Sequence, residues 1–341
     1  MKTTPSEEGC RARGLPRSGP SLRILAVTVL SLTGLVGCGP IEHGEHGEPE
    51  GLSQQSQEQT SNNGLAYNGL AYNGLAYNGL AYNGLAYNGL AYNGLANPDF
   101  HAWFGQDRNM ADQVMTYVVR CAMSADQTLT YTDPTTNQSY TWTGSLGLAP
   151  GWASGAPATT REQQLITACL ASHVNKYLQH VPFSVRGRDA NTNEIPTEEG
   201  ELAVFSQREA CFFGNLFTGE GIYVGSDRGV FNPKESTSRA CSIWSVPGSN
   251  PNHCPPMIHV GSCSALCMQD PSSGYYRACT YNGVLYTPLT TRLRPSDISV
   301  CGDGVCQISE SCGTGTQYNN CGADCGLCSS SGQGPGKGPA R

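Results

Sequence analysis

The chain has 341 residues and a formal net charge of −7, with 20 Lys and Arg against 27 Asp and Glu. That length suits one medium domain with appendages. An acidic chain without a clustered basic stripe excludes nucleic acid as a partner, because neutralising phosphates takes grouped Lys and Arg. Sixteen cysteines is a high count, and it points either to a disulfide framework or to metal ligation.

The first 37 residues read as an address. A basic region through Arg23 carries Lys2, Arg11, Arg13 and Arg17, and residues 24–36 form an apolar run. Thirteen residues are too few to cross a bilayer core of ~30 Å as a helix, which takes ~20, so the segment fits an export signal. It ends in Leu35-Val36-Gly37-Cys38. This ending resembles the lipobox of bacterial lipoproteins. The resemblance implies cleavage before Cys38 and lipidation of its thiol, which leaves the mature chain anchored to a membrane. One acyl chain binds marginally and two or more bind stably. Gly39 follows the cysteine rather than Asp. By resemblance to the sorting rule of two-membrane bacteria, that implies the outer membrane, with the chain facing the periplasm or the cell surface.

Removing residues 1–37 takes away a net +3 and leaves the rest near −10. It also removes Cys10, and Cys38 becomes the anchor. Fourteen cysteines remain: Cys121, Cys169, Cys211, Cys241, Cys254, Cys263, Cys267, Cys279, Cys301, Cys306, Cys312, Cys321, Cys325 and Cys328. In an exported chain they are expected to form disulfides.

Residues 38–62 hold Glu42, Glu45, Glu48, Glu50 and Glu58 with His43 and His46, and no Lys or Arg. A stretch so poor in apolar side chains is expected to be a disordered tether. Residues 63–97 repeat Asn-Gly-Leu-Ala-Tyr six times without error and then end in a truncated copy. A period of five matches neither a helical stripe nor one face of a strand, and Asn-Gly favours turns. The repeat therefore reads as a low-complexity flexible linker, with a functional repeat as the alternative. As a coil, residues 39–97 would reach about 40–45 Å.

Residues 98–300 carry the folded pattern, an α+β disulfide-rich domain. Asn109 can cap a helix to about residue 123, with Met110, Val114, Tyr117, Val118 and Cys121 on one face. Residues 128–132 and 139–143 alternate around a turn at 133–137 and predict a hairpin, with Leu129 and Tyr131 facing Tyr140 and Trp142. Thr159 with Glu162, or Thr160 with Gln163, predicts a capping box. It opens a helix whose stripe runs from Leu165 to Leu178. Cys121 and Cys169 fall on the buried faces of these two helices, so a disulfide between them is expected. Residues 183–186 and 221–225 read as strands, and residues 197–217 as a stretch that begins helical. Tyr281-Asn282-Gly283-Val284-Leu285-Tyr286 reads as a hairpin turn that echoes the repeat. From Cys241 on, the chain is expected to be loop-rich and stapled. Residues 111–121, 144–152, 165–187 and 209–217 resemble a family of uncharacterised bacterial lipoproteins, a resemblance that implies no activity.

No His-Glu-x-x-His, Gly-x-Ser-x-Gly or phosphate-binding glycine loop occurs, so no catalytic site is readable. His253 and His259 flank Cys254 near Cys263 and form the one His/Cys cluster. Cys263 and Cys267 have a spacing that suits either metal or disulfides. His173 reads as a buried structural residue, and Glu209 as a group able to polarise Cys211.

Residues 301–328 read Cys-Gly-Asp-Gly-x-Cys through Asp324-Cys325-Gly326-x-Cys328. They resemble a short extracellular Cys-rich module, expected to hold three bridges and little core. Asp303, Glu310 and Asp324 offer oxygen ligands for Ca²⁺ as the one candidate cofactor. Residues 329–341 are expected to be disordered. The whole predicts a lipid-anchored envelope surface protein for recognition, adhesion or structural display of an unknown extracellular ligand. The alternative is an enzyme acting on its own tyrosine repeats through the His/Cys cluster.

Overall fold

The structure, a computed structural model, describes residues 60–63, 65–66, 88–90, 92–175, 181–244, 254, 256–314 and 319–328. All of them fall in one unit, Ser56–Arg341. The export signal, Cys38, most of the tether, the central repeat copies, His180, His253 and residues 329–341 lie outside the described residues. The helices are α1 (Tyr92–Leu95), α2 (Pro98–Gln106), α3 (Arg108–Ala122), α4 (Pro150–Ala153), α5 (Thr160–Ser172), α6 (Glu201–Val204), α7 (Cys263–Leu266) and α8 (Gly322–Cys325). The strands are β1 (Thr60–Asn63), β2 (Leu65–Ala66), β3 (Thr128–Thr132), β4 (Ser139–Thr143), β5 (Val174–Asn175), β6 (Val181–Arg186), β7 (Gln207–Asn215) and β8 (Gly221–Ser226). They continue with β9 (Glu235–Thr237), β10 (Met257–Ser262), β11 (Cys267–Gln269), β12 (Tyr276–Tyr281), β13 (Val284–Tyr286), β14 (Leu289–Leu293) and β15 (Ile298–Val300). None of the described helices is long and apolar enough to cross a membrane.

A six-stranded sheet, ordered β1-β6-β14-β7-β8-β10, is the middle layer. It is antiparallel except where β10 runs parallel to β8. On one face Ala210, Phe212, Ile222, Val224, Phe183, Val185 and Leu289 meet the helices in the main core. On the other, Cys211, Phe213 and Tyr223 meet the small sheet β11-β12-β13 through Cys263, Tyr276, Cys279 and Tyr286. The result is a helix layer, a sheet and a disulfide-stapled second sheet.

The helix layer follows from its caps and stripes. Asp107, rather than Asn109, caps α3 by accepting from the Met110 N–H at 3.1 Å. Thr159 and Glu162 form the expected capping box of α5. The helix stops at Ser172 rather than near residue 178, because its C-cap residue His173 leads into β5. Helix α5 lies between the sheet and α3, so nearly every residue on it is buried. Its polar positions are spent on neighbouring chain: Gln164 bonds Thr287 N and Leu285 O, and Thr167 accepts from Leu216 N. Cys121 and Cys169, on the buried faces of the two helices, join α3 to α5. The β3–β4 hairpin pairs Leu129 with Trp142 and Tyr131 with Tyr140, and Phe100 and Phe104 of α2 pack edge-on against Tyr131.

Three expectations are corrected. First, the end of the tether expected to be disordered and parts of the repeat are built into the fold. Strand β1 adds to β6, and Leu65–Ala66 pairs with β5. Leu90 is fully buried in the main core, and its N–H donates to Trp152 O at 2.9 Å. Leu95 is buried too. Gly89 has φ +84°, and a Cβ there would overlap the Gly155 carbonyl. Periodicity within the repeat cannot show this, because the leucines are buried by tertiary partners and not by one another. The folded unit therefore begins before residue 98. Second, residues 197–217 form only the one-turn α6 before the long strand β7. Third, the chain after Cys241 is rich in short strands as well as loops.

All fourteen cysteines pair. Besides Cys121–Cys169, the bridges are Cys211–Cys263, Cys241–Cys254, Cys267–Cys279, Cys301–Cys321, Cys306–Cys325 and Cys312–Cys328. The last three staple the tail, which is docked rather than separate. Cys301 N donates to Lys234 O, Ser309 Oγ lies 3.0 Å from Ser236 Oγ, and β15 pairs with β9.

A flexible linker would tolerate changes at Leu90. The fold predicts instead that Leu90→Ala lowers unfolding stability by about 2–5 kcal/mol, and that Gly89→Ala also destabilises through its left-handed backbone. Urea denaturation of the purified chain measures both.

Candidate functional site

Strands β8 and β10 run parallel and end together at Ser226 and Ser262. Ligands in α/β architectures bind beyond the carboxyl ends of parallel strands. Here a cleft of about 490 Å³ opens at that place, a volume in the range of small-molecule sites. Arg208 and Tyr276 form one wall, the turn from Asp227 to Val230 and Trp244 form another, and Ser262, Ser264 and Gln269 form the rim.

Asp227 holds the first wall together. Its Oδ2 accepts from Arg208 Nε at 2.7 Å, and its Oδ1 accepts from the Tyr276 hydroxyl at 2.8 Å. Both carboxylate oxygens are therefore occupied. Burial first, and donation to Asp227 second, push the Tyr276 phenol up to about 12, so it stays a neutral donor. The bond to Asp227 raises the Arg208 guanidinium further. Arg228 pairs with Glu235 through Nη2 at 2.8 Å, and its guanidinium lies over the Phe231 ring.

The remaining capacity of the cleft is one-sided. Ser226 Oγ, Arg228 Nη1 and Trp244 Nε1 are buried and have no hydrogen-bond partner among the described residues. The nitrogens are donors, and the hydroxyl donates as readily as it accepts. A buried polar group without a partner costs ~1–3 kcal/mol, so acceptor atoms placed here recover that cost. None of these residues was singled out by the sequence. Only strand ends mark the place, with Ser226 closing β8 and Ser262 closing β10.

The residues that the sequence did single out fall elsewhere. The His/Cys cluster is consumed by disulfides, because Cys254 pairs with Cys241 and Cys263 with Cys211. His259 packs edge-on to Trp244 at 5.9 Å between ring centroids. Glu209 does not activate Cys211, which is bridged. Its Oε1 accepts from Arg239 Nε at 2.9 Å and from the Ser242 hydroxyl, with both charged partners almost wholly buried. His173 is fully buried between Tyr117 and Phe183, and its Nδ1 donates to the Cys169 carbonyl at 2.8 Å. Burial pushes its imidazole down to about 3, so it is neutral and structural.

Asp303, Glu310 and Asp324 are not gathered into one ligand set. Asp324 accepts from the backbone N–H groups of Gly302, Asp303 and Gly304, and Asp303 from Val305 N and Gln307 Nε2. These bonds hold the Asp324 carboxyl below its ordinary range. Burial and its acidic neighbours push Glu310 upward. The groups that do come together are Cys121, Cys169 and His173; Cys211, Cys267 and Cys279; and Cys301, Cys321 and Asp324. The cysteines in all three are bridged, which leaves no thiolate for a metal.

Comparison with protein-family models, curated proteins and solved structures finds no match. Function is therefore argued from the side chains themselves.

The charges off the cleft set the acid response. The Arg108 guanidinium, at 2.6 Å, holds the Asp133 carboxyl down to about 2, from an ordinary 3.8. Arg277 and Ser272 hold buried Asp270 below the carboxylate range. Depressed carboxylates stabilise the fold above the unfolded-state value, and this is lost as pH falls through the folded value. His173 acts in the same sense: between 6.5 and about 3 only the unfolded chain takes up its proton. The midpoint of thermal unfolding should therefore fall from pH 6.5 downward, and most steeply below pH 4. Melts recorded from pH 7 to 2 measure this. Asp270→Asn should lower the midpoint at neutral pH and flatten the steep part.

Proposed function

We propose that this chain is a recognition protein displayed at the cell envelope from a lipidated Cys38, and that the cleft at the ends of β8 and β10 takes a carboxylate-bearing saccharide. The observation that carries the ligand class is the imbalance of the cleft. Among the described residues, the one carboxylate that lines it is fully engaged by Arg208 and Tyr276, whereas donors on Arg228, Trp244 and Ser226 are unspent. Such a surface favours a ligand rich in acceptors and negative in charge. Hydroxyls from Ser226, Ser262, Ser264 and Tyr276 ring an open cleft that also holds the Trp244 indole. Short polar groups beside aromatic faces suit a polyhydroxylated ring better than an apolar ligand.

The envelope half of the proposal is supported by the lipobox-like sequence at residues 35–38, the acidic balance and the complete pairing of the fourteen described cysteines. Disulfides persist in exported proteins and are rare in a reducing cytosol. The reading of the chain as an enzyme acting on its own repeats loses its proposed metal cluster to the Cys241–Cys254 and Cys211–Cys263 bridges.

Two measurements test the halves separately. Titration calorimetry with galacturonate oligomers should show binding, and methyl-esterified oligomers should bind at least tenfold more weakly. Arg228→Met should weaken binding by about tenfold or more, the scale of one charge-assisted hydrogen bond, measured at a temperature where the melting curve shows the variant still folded despite its lost pair with Glu235. Equal binding of acidic and esterified oligomers, or none of either, would refute the ligand class. For the anchor, Cys38→Ala should move the chain from the membrane fraction to the soluble one. A variant that stays membrane-bound would refute lipidation.

A further inference from the structure

The second core brings two disulfides together. Cys211 of β7 is bridged to Cys263 at the head of α7, and Cys267 of β11 is bridged to Cys279 of β12. Cys263 and Cys267 lie at the two ends of a single helical turn, yet each belongs to a different bridge. The sulfurs of Cys211 and Cys267 are 3.7 Å apart, in van der Waals contact without a bond. The Cys279 sulfur lies within 4.8 Å of both. Cys211, Cys263 and Cys279 are buried, whereas Cys267 is only partly so and lies on β11, an edge strand of the small sheet.

Thiol–disulfide exchange takes place when a thiolate reaches a disulfide sulfur, and access governs the rate. Here the attacking and attacked atoms are already in contact, so exchange needs little movement of the chain. Of the four residues Cys267 is the least buried, and it lies on the edge strand.

We propose that these four cysteines form an exchange site, in which reduction of the edge-strand Cys267–Cys279 bridge is passed inward to Cys211–Cys263. An external dithiol gives two electrons and two protons to Cys267–Cys279 and leaves as its own disulfide. Cys267, as thiolate, then attacks the Cys211 sulfur. The Cys211–Cys267 bond forms, the Cys211–Cys263 bond breaks, and its electron pair leaves on Cys263. This second step is an isomerisation with no net change in oxidation state. The Cys263 sulfur lies 3.0 Å from Gly225 O, so once protonated it has an acceptor in place. The outcome ties β7 to β11 instead of to α7.

The exchange bears on the cleft, although its chemistry stands without the ligand proposed above. Ser262 and Ser264 flank Cys263, and Gln269 lies two residues past Cys267; all three line the rim. Moving the bridge re-anchors the segment that carries them.

Peptide mapping after alkylation under non-reducing conditions tests the site. In Cys279→Ser the thiol of Cys267 has no partner. The expected majority product is a Cys211–Cys267 bridge with Cys263 alkylated. Recovery of an intact Cys211–Cys263 bridge with Cys267 alkylated would overturn the proposal. A second arm uses the unaltered chain, which guards against misfolding of the variant. After brief dithiothreitol treatment and acid quenching, the species lacking one bridge should carry its alkyl groups on Cys263 and Cys279. Alkyl groups on Cys267 and Cys279 alone would count against exchange. Loss of ligand binding on the same treatment is a separate readout, and its absence would leave the mapped exchange standing while removing its link to the cleft.

Discussion

Strand β7 is buried on both faces, and that constraint organises the rest of the domain. From Glu209 to Asn215 every residue is buried. A strand buried on one face alternates apolar with polar side chains, but one buried on both cannot. Ala210 and Phe212 need the helices, and Cys211 and Phe213 need the small sheet. The two covers differ in kind. The helix side is a long contiguous core with large aromatics from α2, α4 and the β3–β4 hairpin. The other side is a cluster of seven buried residues, two of its bridges lying within it. A cluster that small stabilises little by burial alone, so covalent closure supplies what area does not.

A fully buried ion pair enters the large core, and the sheet register explains how. Thr291 pairs with Ala210, but Arg292 pairs with Arg208, so Glu209 is the extra residue of a β-bulge. Its carboxylate meets Arg239, whose guanidinium lies 3.9 Å from the centre of the Phe183 ring. Burying two charges costs several kcal/mol per ion, and removing one partner of such a pair costs about 3–5 kcal/mol, whereas apolar replacement of both is often neutral. The pair is therefore better understood as a positioning device than as a source of stability. It fixes residues 239–242 against β6 and β7 through Arg239 and Ser242. Cys241, bridged to Cys254, and Trp244 of the cleft follow directly.

What could be read from the sequence was local. The capping box at Thr159, the β3–β4 register, the left-handed Asn282-Gly283 turn between β12 and β13 and the Cys121–Cys169 bridge all depend on spacings of a few residues or on two amphipathic faces that must meet. What stayed hidden was tertiary. The glycine and leucine of the sixth repeat copy have the same sequence as those of the other five, yet Leu90 is core because Trp152 and Gly155 form its surroundings. Residues 197–217 read as beginning helical because Leu202, Phe205 and Glu209 have helical spacing, but from Gln207 on they form strand β7. The partners that override it, β14 and β8, lie far along the chain or beyond a tight connection. The cleft is a further step removed. It exists because β8 and β10 are parallel neighbours, which separates its lining residues by up to 68 positions, from Arg208 to Tyr276.

The cleft straddles the two kinds of cover. Its floor, from Arg208 and Ser226, belongs to the central sheet and inherits the stability of the large core. Its other side, from Ser264, Gln269 and Tyr276, belongs to the layer held by Cys211–Cys263 and Cys267–Cys279. The two halves need not open together, because local opening follows local burial and not the global free energy. Tyr276 bonds Asp227 directly, and Asp227 bonds Arg208, so this triad is the polar seam between floor and rim. Any loosening of the stapled layer is felt first at that seam, where Asp227 would regain a free oxygen and the cleft would lose its surplus of donors. The donor surplus of the cleft thus depends on a seam whose rim half is held by the bridges.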